Sequence, residues 1–511
     1  MILGRCLTRN ARYFPDKPAI ISADGRSLSH AALNDRVNRL ANALAANGIA
    51  KGAKIAILAR NSPEFLEVYF AAAKLGAPLV PINYQLKAPD IHYRLQHSDA
   101  RALVVDSEFL PLLDGLPAST GTALRGRIFV RDGNADSARR LDELIDSGPA
   151  GEPEVSLSPE DTLYIGYTSG TTGPSKGALI SHRAIVAGYL YKALDYGLGA
   201  QDINLDPGPF WHSAPRDFAT LAIYLGGTCV VTPGFDARQF HELVARYRVT
   251  NSFMVPTMYQ LVTAFDDTGR HDVSSLRVLI SGGSPLSSTV KDKVLARFGP
   301  ILNEFYGATE TRIITNITAT ELSERKRAVG RPIRDVEIRI LDGAGCDVPA
   351  GGVGEVFVRG PGLFSGYYKD AERTRKSHRG EWFSLGDMGR LDGEGYLYLV
   401  DRKQDMIISG GENIFPSDIE EVLLGFPGVK EVAVIGTPDE TWGELVTAIV
   451  VPQEGGEVLP DALIDYCGSR LPGYMKPRRV EFAKSLPRNP VGKVLRRELR
   501  EPYWRGQEAS I

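Results

Sequence analysis

Hydrophobic and polar residues in the first half of the chain follow two alternating periods. Between residues 33 and 44 apolar residues recur at helical spacing, and Asn47-Gly48 ends that pattern. The next apolar segment, 54–58 (KIAIL), is short and rich in β-branched residues, so it predicts a strand. A helix followed closely by a strand is the unit from which sheets covered by helices are built.

A second helix is predicted directly after this strand. Residues 61–64 (NSPE) provide a cap, a proline for the first turn and an acidic start, and Gly76 ends the helix after Leu75. Further short apolar runs predict more strands, at 102–106 (ALVVD), 228–232 (TCVVT) and 278–282 (VLISG). This alternation is typical of an α/β protein with mostly buried sheets.

The pattern changes towards residue 400. Residues 335–400 are rich in Gly, Asp and alternating β-type residues, which predicts antiparallel hairpins. After 401–405 (DRKQD), helices are predicted near 417–424 and 461–470, together with the strands EVAVIG, LVTAIVV and 479–483. Because 511 residues exceed what one core usually supports, we expect at least two domains, the last one small and α+β.

Composition limits the class of protein. With 43% hydrophobic and 24% charged residues the chain has the make-up of a globular enzyme, and its net charge of −3 provides no bulk attraction to nucleic acid or anionic membranes. The four cysteines lie far apart and form neither a zinc motif nor a disulfide framework. No apolar run has the length of a transmembrane helix, and no targeting signal is recognised. We therefore expect a cytoplasmic protein.

The segment 167–177 (YTSGTTGPSKG) combines glycines, hydroxyls and a lysine. Glycines let backbone N–H groups approach a ligand and form an anion-binding concavity, to which Ser and Thr hydroxyls and Lys176 add donors and charge. The apolar residues before it predict a strand that ends at this loop. The composition therefore favours a site for a polyphosphate.

Two other interpretations of this loop compete with a polyphosphate site. A P-loop has the pattern G-x-x-x-x-G-K-[ST], but here Ser175 replaces the second glycine and Gly177 replaces the final Ser or Thr. A flexible surface loop has a similar composition. The loop alone does not decide between a phosphate site and a surface loop.

Further motifs follow the loop in order. They are ISGGSPL at 280–286, NEFYGATET at 303–311, SLGDMGR at 384–390, VDRKQDMIISGGENIFPSDIE at 400–420 and PRNPVGKVLRREL at 487–499. Together these segments resemble the adenylate-forming superfamily of acyl-CoA synthetases, peptide-synthetase adenylation domains and luciferases, over nearly the whole chain. The resemblance is closest to stand-alone fatty or aromatic acyl-CoA ligases.

The resemblance implies a reaction in two steps, with ATP, Mg²⁺ and coenzyme A as cofactors. A carboxylate attacks the α-phosphate of ATP and releases pyrophosphate, and the sulfur of CoA then attacks the acyl adenylate and releases AMP. It also implies an α/β fold: a large N-terminal domain of stacked α/β sheets with a β-barrel-like subdomain, and a small mobile α+β C-terminal domain. The implied domains are 1–402 and 405–511, with a hinge near Gln404.

The resemblance assigns roles to individual residues. Phosphate and nucleotide binding falls to Thr168, Ser169, Gly170, Thr171, Thr172, Gly173, Lys176, Gly282, Gly283, Ser284, Glu304, Phe305, Tyr306, Gly307, Asp387 and Arg402. Thr309 would contact the α-phosphate, Glu310 would hold Mg²⁺, and Lys493 would bridge the substrate carboxylate and the α-phosphate. Asp387 would take both ribose hydroxyls.

The small domain of the family rotates between two poses that serve the two half-reactions. Here Gly410, Gly411 and Glu412 would line the CoA path in the second pose. Gln404 stands at the hinge where relatives usually have Asp or Lys, so the balance between the poses is open. Taken singly, Asp387 also fits a turn residue and Lys493 a solvated lysine, but such interpretations leave the order of the motifs unexplained.

The resemblance also implies the acid-binding pocket, because PFWH at 209–212 matches the family's P-x-F-H pattern with Trp211 in place of Phe, and the YGATET segment contributes to the same pocket. His212 would lie between the acyl pocket and the CoA tunnel, although an isolated histidine near aromatic residues is also compatible with a structural role. The candidate pocket residues are Trp211, Arg216, Tyr224, Gly307, Ala308 and Arg312. An arginine in such a pocket either recognises a polar or second acidic group of the substrate or pairs with Asp217 or another carboxylate.

Three rival functions remain open. The chain could load the acyl group onto the phosphopantetheine of a carrier protein in trans, and free CoA is favoured because no carrier segment follows Ile511. It could be an inactive nucleotide-binding regulator, which the combined presence of Thr309, Glu310, Asp387 and Lys493 argues against. A luciferase is the third. The sequence does not indicate which carboxylic acid is the substrate or whether the protein is a homo-oligomer. We expect no stable membrane insertion.

Overall fold

The structure is a computed structural model of the chain and describes residues 1–133, 138–168, 175–266, 269–325, 327–453, 455, 458–488 and 494–505. It divides into two units. The first unit comprises Met1–Glu337 with Arg359–Lys376, and the second comprises Ile338–Val358 with Ser377–Ile511. No helix in the described part of the chain combines the length and the apolar character needed to cross a bilayer.

Two sheets and their helices build the first unit. Its strands are β1 (Pro18–Ser22), β2 (Ser27–Ser29), β3 (Lys54–Leu58), β4 (Leu79–Pro81), β5 (Ala100–Val105), β6 (Ile128–Val130), β7 (Arg139–Arg140), β8 (Thr162–Thr168), β9 (Lys176–Ser181), β10 (Ile203–Leu205), β11 (Thr228–Val231), β12 (Asn251–Met254), β13 (Val278–Ser281), β14 (Leu302–Ala308), β15 (Arg312–Thr318) and β16 (Arg331–Pro332). Its helices are α1 (Arg5–Tyr13), α2 (His30–Ala46), α3 (Pro63–Leu75), α4 (Ala88–His97), α5 (Ala118–Leu124), α6 (Leu141–Ser147), α7 (His182–Asp195), α8 (Ser213–Leu225), α9 (Ala237–Tyr247), α10 (Pro256–Ala264), α11 (Ser288–Phe298), α12 (Ala319–Glu324) and α13 (Ala371–Lys376), with a 3₁₀ segment at Ser107–Leu113.

Both sheets of the first unit are mainly parallel. One has the order β16-β15-β14-β13-β12-β10-β11-β1-β2, and its pairs β14/β15, β15/β16 and β1/β2 are antiparallel. The other has the order β7-β6-β5-β3-β4-β8-β9, with β8/β9 antiparallel. Strands β5, β11 and β13 confirm the apolar runs predicted as strands, and their burial explains why those runs are continuous rather than alternating.

Local sequence signals explain where the helices of this unit begin and end. The Ser62 side chain accepts a hydrogen bond from the backbone N–H of Phe65, so α3 begins at Pro63 with a satisfied cap. It ends at Gly76, whose φ of 64° is left-handed. The apolar face predicted for α2, from Leu33 to Leu44, is buried in the core. Both helices therefore confirm the sequence prediction.

The second unit is built on two further sheets. The remaining strands are β17 (Glu337–Leu341), β18 (Gly354–Arg359), β19 (His378–Arg379), β20 (Trp382–Leu391), β21 (Leu397–Arg402), β22 (Ile407–Ser409), β23 (Glu412–Ile414), β24 (Val429–Asp439), β25 (Gly443–Pro452) and β26 (Arg479–Phe482). The remaining helices are α14 (Pro416–Leu424), α15 (Pro460–Gly468) and α16 (Arg496–Trp504).

The first of these sheets has the order β17-β18-β20-β19, with β21 paired to β20, and it confirms the predicted hairpins. The second has the order β23-β22-β25-β24, with β26 parallel to β25. Helices α14 and α15 lie where the sequence predicted them, and Ile419, Leu423 and Leu463 bury their side chains in the core of this sheet. The domain boundary predicted at Gln404 lies within the second unit and, like the predicted mobility, stays a prediction.

Gly148, which follows α6, has a steric requirement that yields a testable prediction. A Cβ at this position would lie 2.0 Å from the carbonyl oxygen of Arg39, whereas a Cβ at Gly151 would meet no atom within 4 Å. Because backbone must move to admit the methyl group, we expect Gly148→Ala to cost about 1–3 kcal/mol of stability. Urea unfolding of Gly148→Ala and of the control Gly151→Ala measures this, and equal midpoints would contradict it.

Candidate active site

Strands β8 and β9 position the two described ends of the predicted phosphate loop. They form an antiparallel pair in which Thr168 is opposite Lys176. Ser175 is held by α4, because its hydroxyl accepts a hydrogen bond of 2.7 Å from Arg94. The predicted phosphate-binding residues Ser169, Gly170, Thr171, Thr172 and Gly173 lie outside the described residues.

A second group of side chains surrounds Glu310, which is 5% exposed. Its Oε1 accepts hydrogen bonds from the hydroxyl of Tyr367 at 3.1 Å and from that of Thr168 at 3.4 Å. The ammonium group of Lys176 lies 5.2 Å from the centre of the Tyr367 ring. Tyr367 thus links Glu310 to Lys176, two of the predicted site residues. Sequence reasoning missed Tyr367, because nothing in its spacing relates it to either partner.

Adjacent parallel strands bring the two predicted adenine segments together. Strand β13 runs beside β14 with Ser281 opposite Glu304, so the ISGGSPL and NEFYGATET segments leave the same edge of the sheet. Gly282 approaches the ring of Phe305 so closely that a Cβ there would lie 2.6 Å from it. Lys291 lies 2.9 Å from the Glu304 carboxylate, whose pKa is raised by burial. Gly283, Ser284 and Tyr306 belong to the same two segments.

The turn between β14 and β15 holds the predicted α-phosphate contact. Ala308 is opposite Arg312, and a Cβ at Gly307 would lie 1.9 Å from the carbonyl oxygen of Arg312. Arg312 has a φ of 60°, and its guanidinium donates a 2.6 Å hydrogen bond to the carbonyl of Thr309. The side chain of Arg312 thus fixes the turn that presents Thr309 and Glu310.

Helix α8 meets this turn at its N-terminus. His212 is the residue before the helix, and the hydroxyl of Ser213 lies 3.4 Å from that of Thr309. The rings of Trp211 and His212 are in edge contact, with centres 5.8 Å apart. Burial, followed by the positive charge of Arg216, lowers the pKa of His212 to about 4, so its imidazole is neutral at pH 7. The PFWH segment therefore lies beside the predicted catalytic threonine.

One turn further along α8, Asp217 forms a buried ionic cluster. Arg312 donates a 2.6 Å hydrogen bond to Asp217 and a second, shorter one to the hydroxyl of Tyr164. The ammonium of Lys192 lies 3.8 Å from the same Asp217 oxygen, and burial lowers the pKa of Lys192 to about 8. For Arg312, the structure thus places Asp217 as the ion-pair partner that the sequence had left open.

Tyr224 is separated from this cluster. It lies at the C-terminal end of α8, where its ring packs against Tyr189 with centres 5.5 Å apart and against the guanidinium of Arg9 at 5.3 Å. Tyr224 is eight residues after Arg216 on this helix, which corresponds to a rise of about 12 Å. The structure does not bring Tyr224 to the turn that holds Thr309.

Two predicted nucleotide-binding residues face each other in the second unit. Asp387 on β20 is opposite Arg402 on β21, and the Arg402 Nε lies 3.2 Å from the Asp387 carboxylate. The antiparallel register thereby joins the SLGDMGR and VDRKQD motifs. Asp387 is 8% exposed, whereas the side chain of Arg402 is 32% exposed, so a buried carboxylate meets a half-buried guanidinium.

The predicted CoA segment is a tight turn between β22 and β23. Ser409 is opposite Glu412, and both Gly410 and Gly411 have positive φ values of 60° and 85°, as a two-residue hairpin of this type requires. The backbone carbonyl of Gln404 accepts a 3.2 Å hydrogen bond from Arg500. Lys493 lies outside the described residues.

Comparisons with known proteins agree with this arrangement of motifs. The family described as AMP-binding enzyme matches residues 7–368, and the family described as AMP-binding enzyme C-terminal domain matches residues 418–493. Feruloyl-CoA synthase of Amycolatopsis sp is 36% identical over 503 residues, which cover 98% of this chain and 99% of that protein. The long-chain-fatty-acid–CoA ligase FadD13 of Mycobacterium tuberculosis is 37% identical over 506 residues, covering 98% of each.

Two further proteins extend this comparison. The fatty acid–acyl-carrier-protein ligase ScoC of Streptomyces coeruleorubidus is 34% identical over 507 residues, covering 97% of this chain and 95% of that protein. The crystal structure of ATP-bound MatB from Rhodopseudomonas palustris has a TM-score of 0.86 at 29% identity, covering 97% of this chain and 99% of that one. The chain therefore belongs to the AMP-binding enzyme family. It is an AMP-forming acyl-CoA ligase that uses ATP and CoA.

The Arg312–Asp217 pair yields a prediction about stability. Both side chains are buried, so Asp217→Asn leaves the guanidinium without its counter-charge, and we expect a loss of about 3–5 kcal/mol. Asp272→Asn is the matched control, because Asp272 and its partner Arg248 are largely exposed and such pairs contribute about 0–1 kcal/mol. Urea unfolding compares the two variants, and similar losses would contradict the prediction.

Proposed function

We propose that this ligase first activates a carboxylic acid as acyl-AMP, with release of pyrophosphate, and then transfers the acyl group to CoA, with release of AMP. The observation that carries the proposal is the turn holding Thr309 and Glu310. It contacts Thr168 at one end of the predicted phosphate loop and Ser213 at the start of α8. The residues proposed to bind the phosphates and those proposed to bind the carboxylic acid thus lie on two sides of one turn.

In the proposed first step, charge builds up on the oxygens of the α-phosphate. Catalysis then depends on positioning and on cationic stabilisation. Thr168 and Lys176 bind the β- and γ-phosphates, Thr309 donates to the α-phosphate, and Lys493 bridges that phosphate and the attacking carboxylate. Support for Thr309 comes from its neighbours, because Arg312 and Ser213 hold the turn from both sides.

Glu310 is the residue we propose for Mg²⁺. Mg²⁺ commonly takes one or two protein carboxylates and completes its shell with substrate phosphates and water. Glu310 fits this pattern, since its carboxylate lies beside Thr168 and one oxygen already accepts two hydroxyl donors. A bound Mg²⁺ would neutralise phosphate charge, and the hydroxyls of Tyr367 and Thr168 would orient the carboxylate.

We propose that Asp387 and Arg402 of the second unit bind the ribose of the nucleotide. His212 and the glycine turn of the second unit are proposed to act in the second step, the transfer to CoA. The neutral imidazole of His212 separates the acid pocket from the CoA path without adding charge. Asp387, oriented by Arg402, binds the ribose hydroxyls. The glycine turn at Gly410 and Gly411 lies along CoA after rotation about Gln404.

The second candidate is transfer to a carrier protein in trans. It is favoured by one comparison, with the carrier-protein ligase ScoC. The feruloyl relative is named a CoA synthase and the long-chain fatty acid relative a CoA ligase. Both candidates share the adenylate, so they differ only in the thiol that accepts the acyl group. The cytoplasmic location and a possible homo-oligomer stay predictions.

A direct assay tests the proposal. Purified protein is incubated with ATP, Mg²⁺ and a panel of monocarboxylic, aromatic, hydroxy and dicarboxylic acids, with and without CoA, and the products are identified by mass spectrometry. We expect AMP and an acyl-CoA in equal amounts. Accumulation of adenylate without thioester would favour the carrier-protein candidate, and a complete lack of pyrophosphate would exclude both candidates.

Lys493→Ala separates the two half-reactions. Because Lys493 is proposed to act only on the attacking carboxylate and the α-phosphate, we expect pyrophosphate release to fall about 100-fold or more. Thioester formation from supplied acyl-AMP should stay close to that of the unchanged protein. Lys484→Ala, at an exposed lysine of the same unit, serves as the control. Equal losses in both half-reactions would refute the assignment of Lys493.

A further inference from the structure

Arg216 is buried in the first unit with most of its donors unused. Its side chain is 1% exposed, and its Nη1 donates a 3.1 Å hydrogen bond to the carbonyl of Phe210. Among the described residues, Nε and Nη2 have no hydrogen-bond partner. The guanidinium lies over the ring of Tyr164 at 4.2 Å and beside that of Tyr69 at 5.5 Å. Buried donors without partners are rare because they lose hydration without replacement.

The charges around Arg216 are not balanced by the described carboxylates. Asp217 is shared by three cations, of which Arg312 is bonded at 2.6 Å, Lys192 lies at 3.8 Å, and Arg216 lies at 3.9 Å, beyond hydrogen-bond distance. Asp206 is mostly protonated at pH 7 and adds little negative charge, because burial raises its pKa to about 8. The cluster therefore carries excess positive charge in a buried place, which is costly unless an anion compensates it.

This excess charge lies next to the groups proposed for catalysis. Arg216 is three residues after Ser213 on α8, about 4.5 Å further along the helix than the contact with Thr309. Its charge is one of the causes that lower the pKa of His212. The backbone of Arg216 is therefore less than one helical turn from Ser213, which contacts Thr309, and its neighbour Asp217 is bonded to the same Arg312 that holds the Thr309 carbonyl.

We propose that the acid activated by this enzyme is a short dicarboxylic acid, and that Arg216 binds its second carboxylate through Nε and Nη2. This inference rests on the proposed ligase function. A guanidinium binds a carboxylate through two parallel hydrogen bonds, and that geometry uses the donors left without partners here. Arg312 is a positioning residue, because Asp217 and Tyr164 already engage it. A purely apolar acyl chain would leave the charge of Arg216 uncompensated.

The test compares acids that differ only in the second carboxylate. Each α,ω-dicarboxylic acid of three to eight carbons is assayed beside its monoamide, which has the same shape but no second charge. The readout is kcat/KM for pyrophosphate release. We expect one diacid to exceed its monoamide by about 100-fold, the scale of a buried charge pair that lacks one partner. The ratio is measured within one protein preparation, so a loss of folded protein cancels.

Variants of Arg216 assign the preference to this side chain. In Arg216→Gln the ratio of diacid to monoamide activity should fall by about 100-fold. Arg216→Lys should keep part of the preference, because it keeps the charge without the two-pronged geometry. Arg248→Gln, at an exposed arginine of the same unit, should leave the ratio unchanged.

Four outcomes would overturn the inference. Pyrophosphate release with monocarboxylic acids alone, or equal activity with diacid and monoamide, would exclude a carboxylate-binding role for Arg216 while leaving the ligase function intact. An equal loss with both acids in Arg216→Gln would make Arg216 a structural residue. Absence of pyrophosphate with every acid would overturn the ligase function itself, and this inference with it.

Discussion

The buried ion pair between Arg312 and Asp217 is the interaction on which the candidate site depends. Arg312 begins β15 in a left-handed conformation, and its guanidinium reaches back to the carbonyl of Thr309 and across to Asp217 on α8. One side chain therefore connects the turn proposed to bind the α-phosphate with the helix proposed to bind the acid. A guanidinium can hold both because its donors lie in a rigid plane with fixed directions.

The same pair explains why the two candidate pocket arginines, Arg216 and Arg312, differ in their chemistry. Arg312 donates hydrogen bonds to a carboxylate, a phenol and a backbone carbonyl. Arg216 donates one hydrogen bond to a backbone carbonyl and otherwise packs against aromatic rings. The Oδ2 of Asp217 accepts from Arg312 at 2.6 Å, whereas its Oδ1 lies 3.9 Å from Arg216, beyond hydrogen-bond distance. Retaining a second arginine in such a place costs stability, which a ligand carboxylate would offset on binding.

Much of the fold could be predicted because its signals are local. Helix α3 begins at a serine cap followed by proline and ends at glycine, and each of these residues acts on backbone within one turn of itself. The apolar runs became β3, β5, β11 and β13, since a strand buried on both faces needs no alternation. Strand order was not predictable, because β1 pairs with β11 and β4 with β8 across long stretches of chain.

The sequence by itself determined those helices and strands that carry strong local signals, such as α2, α3, β3 and β5, the order of the motifs and, through their resemblance, the family and the adenylate-forming chemistry. These properties reside in short segments whose residues act on their neighbours. Only the tertiary structure decided that Asp217 pairs with Arg312, 95 residues away, and that Tyr367 donates to Glu310, 57 residues away. Such partners are chosen by the packing of sheets and helices, which sets distance, burial and charge together and leaves no periodic trace along the chain.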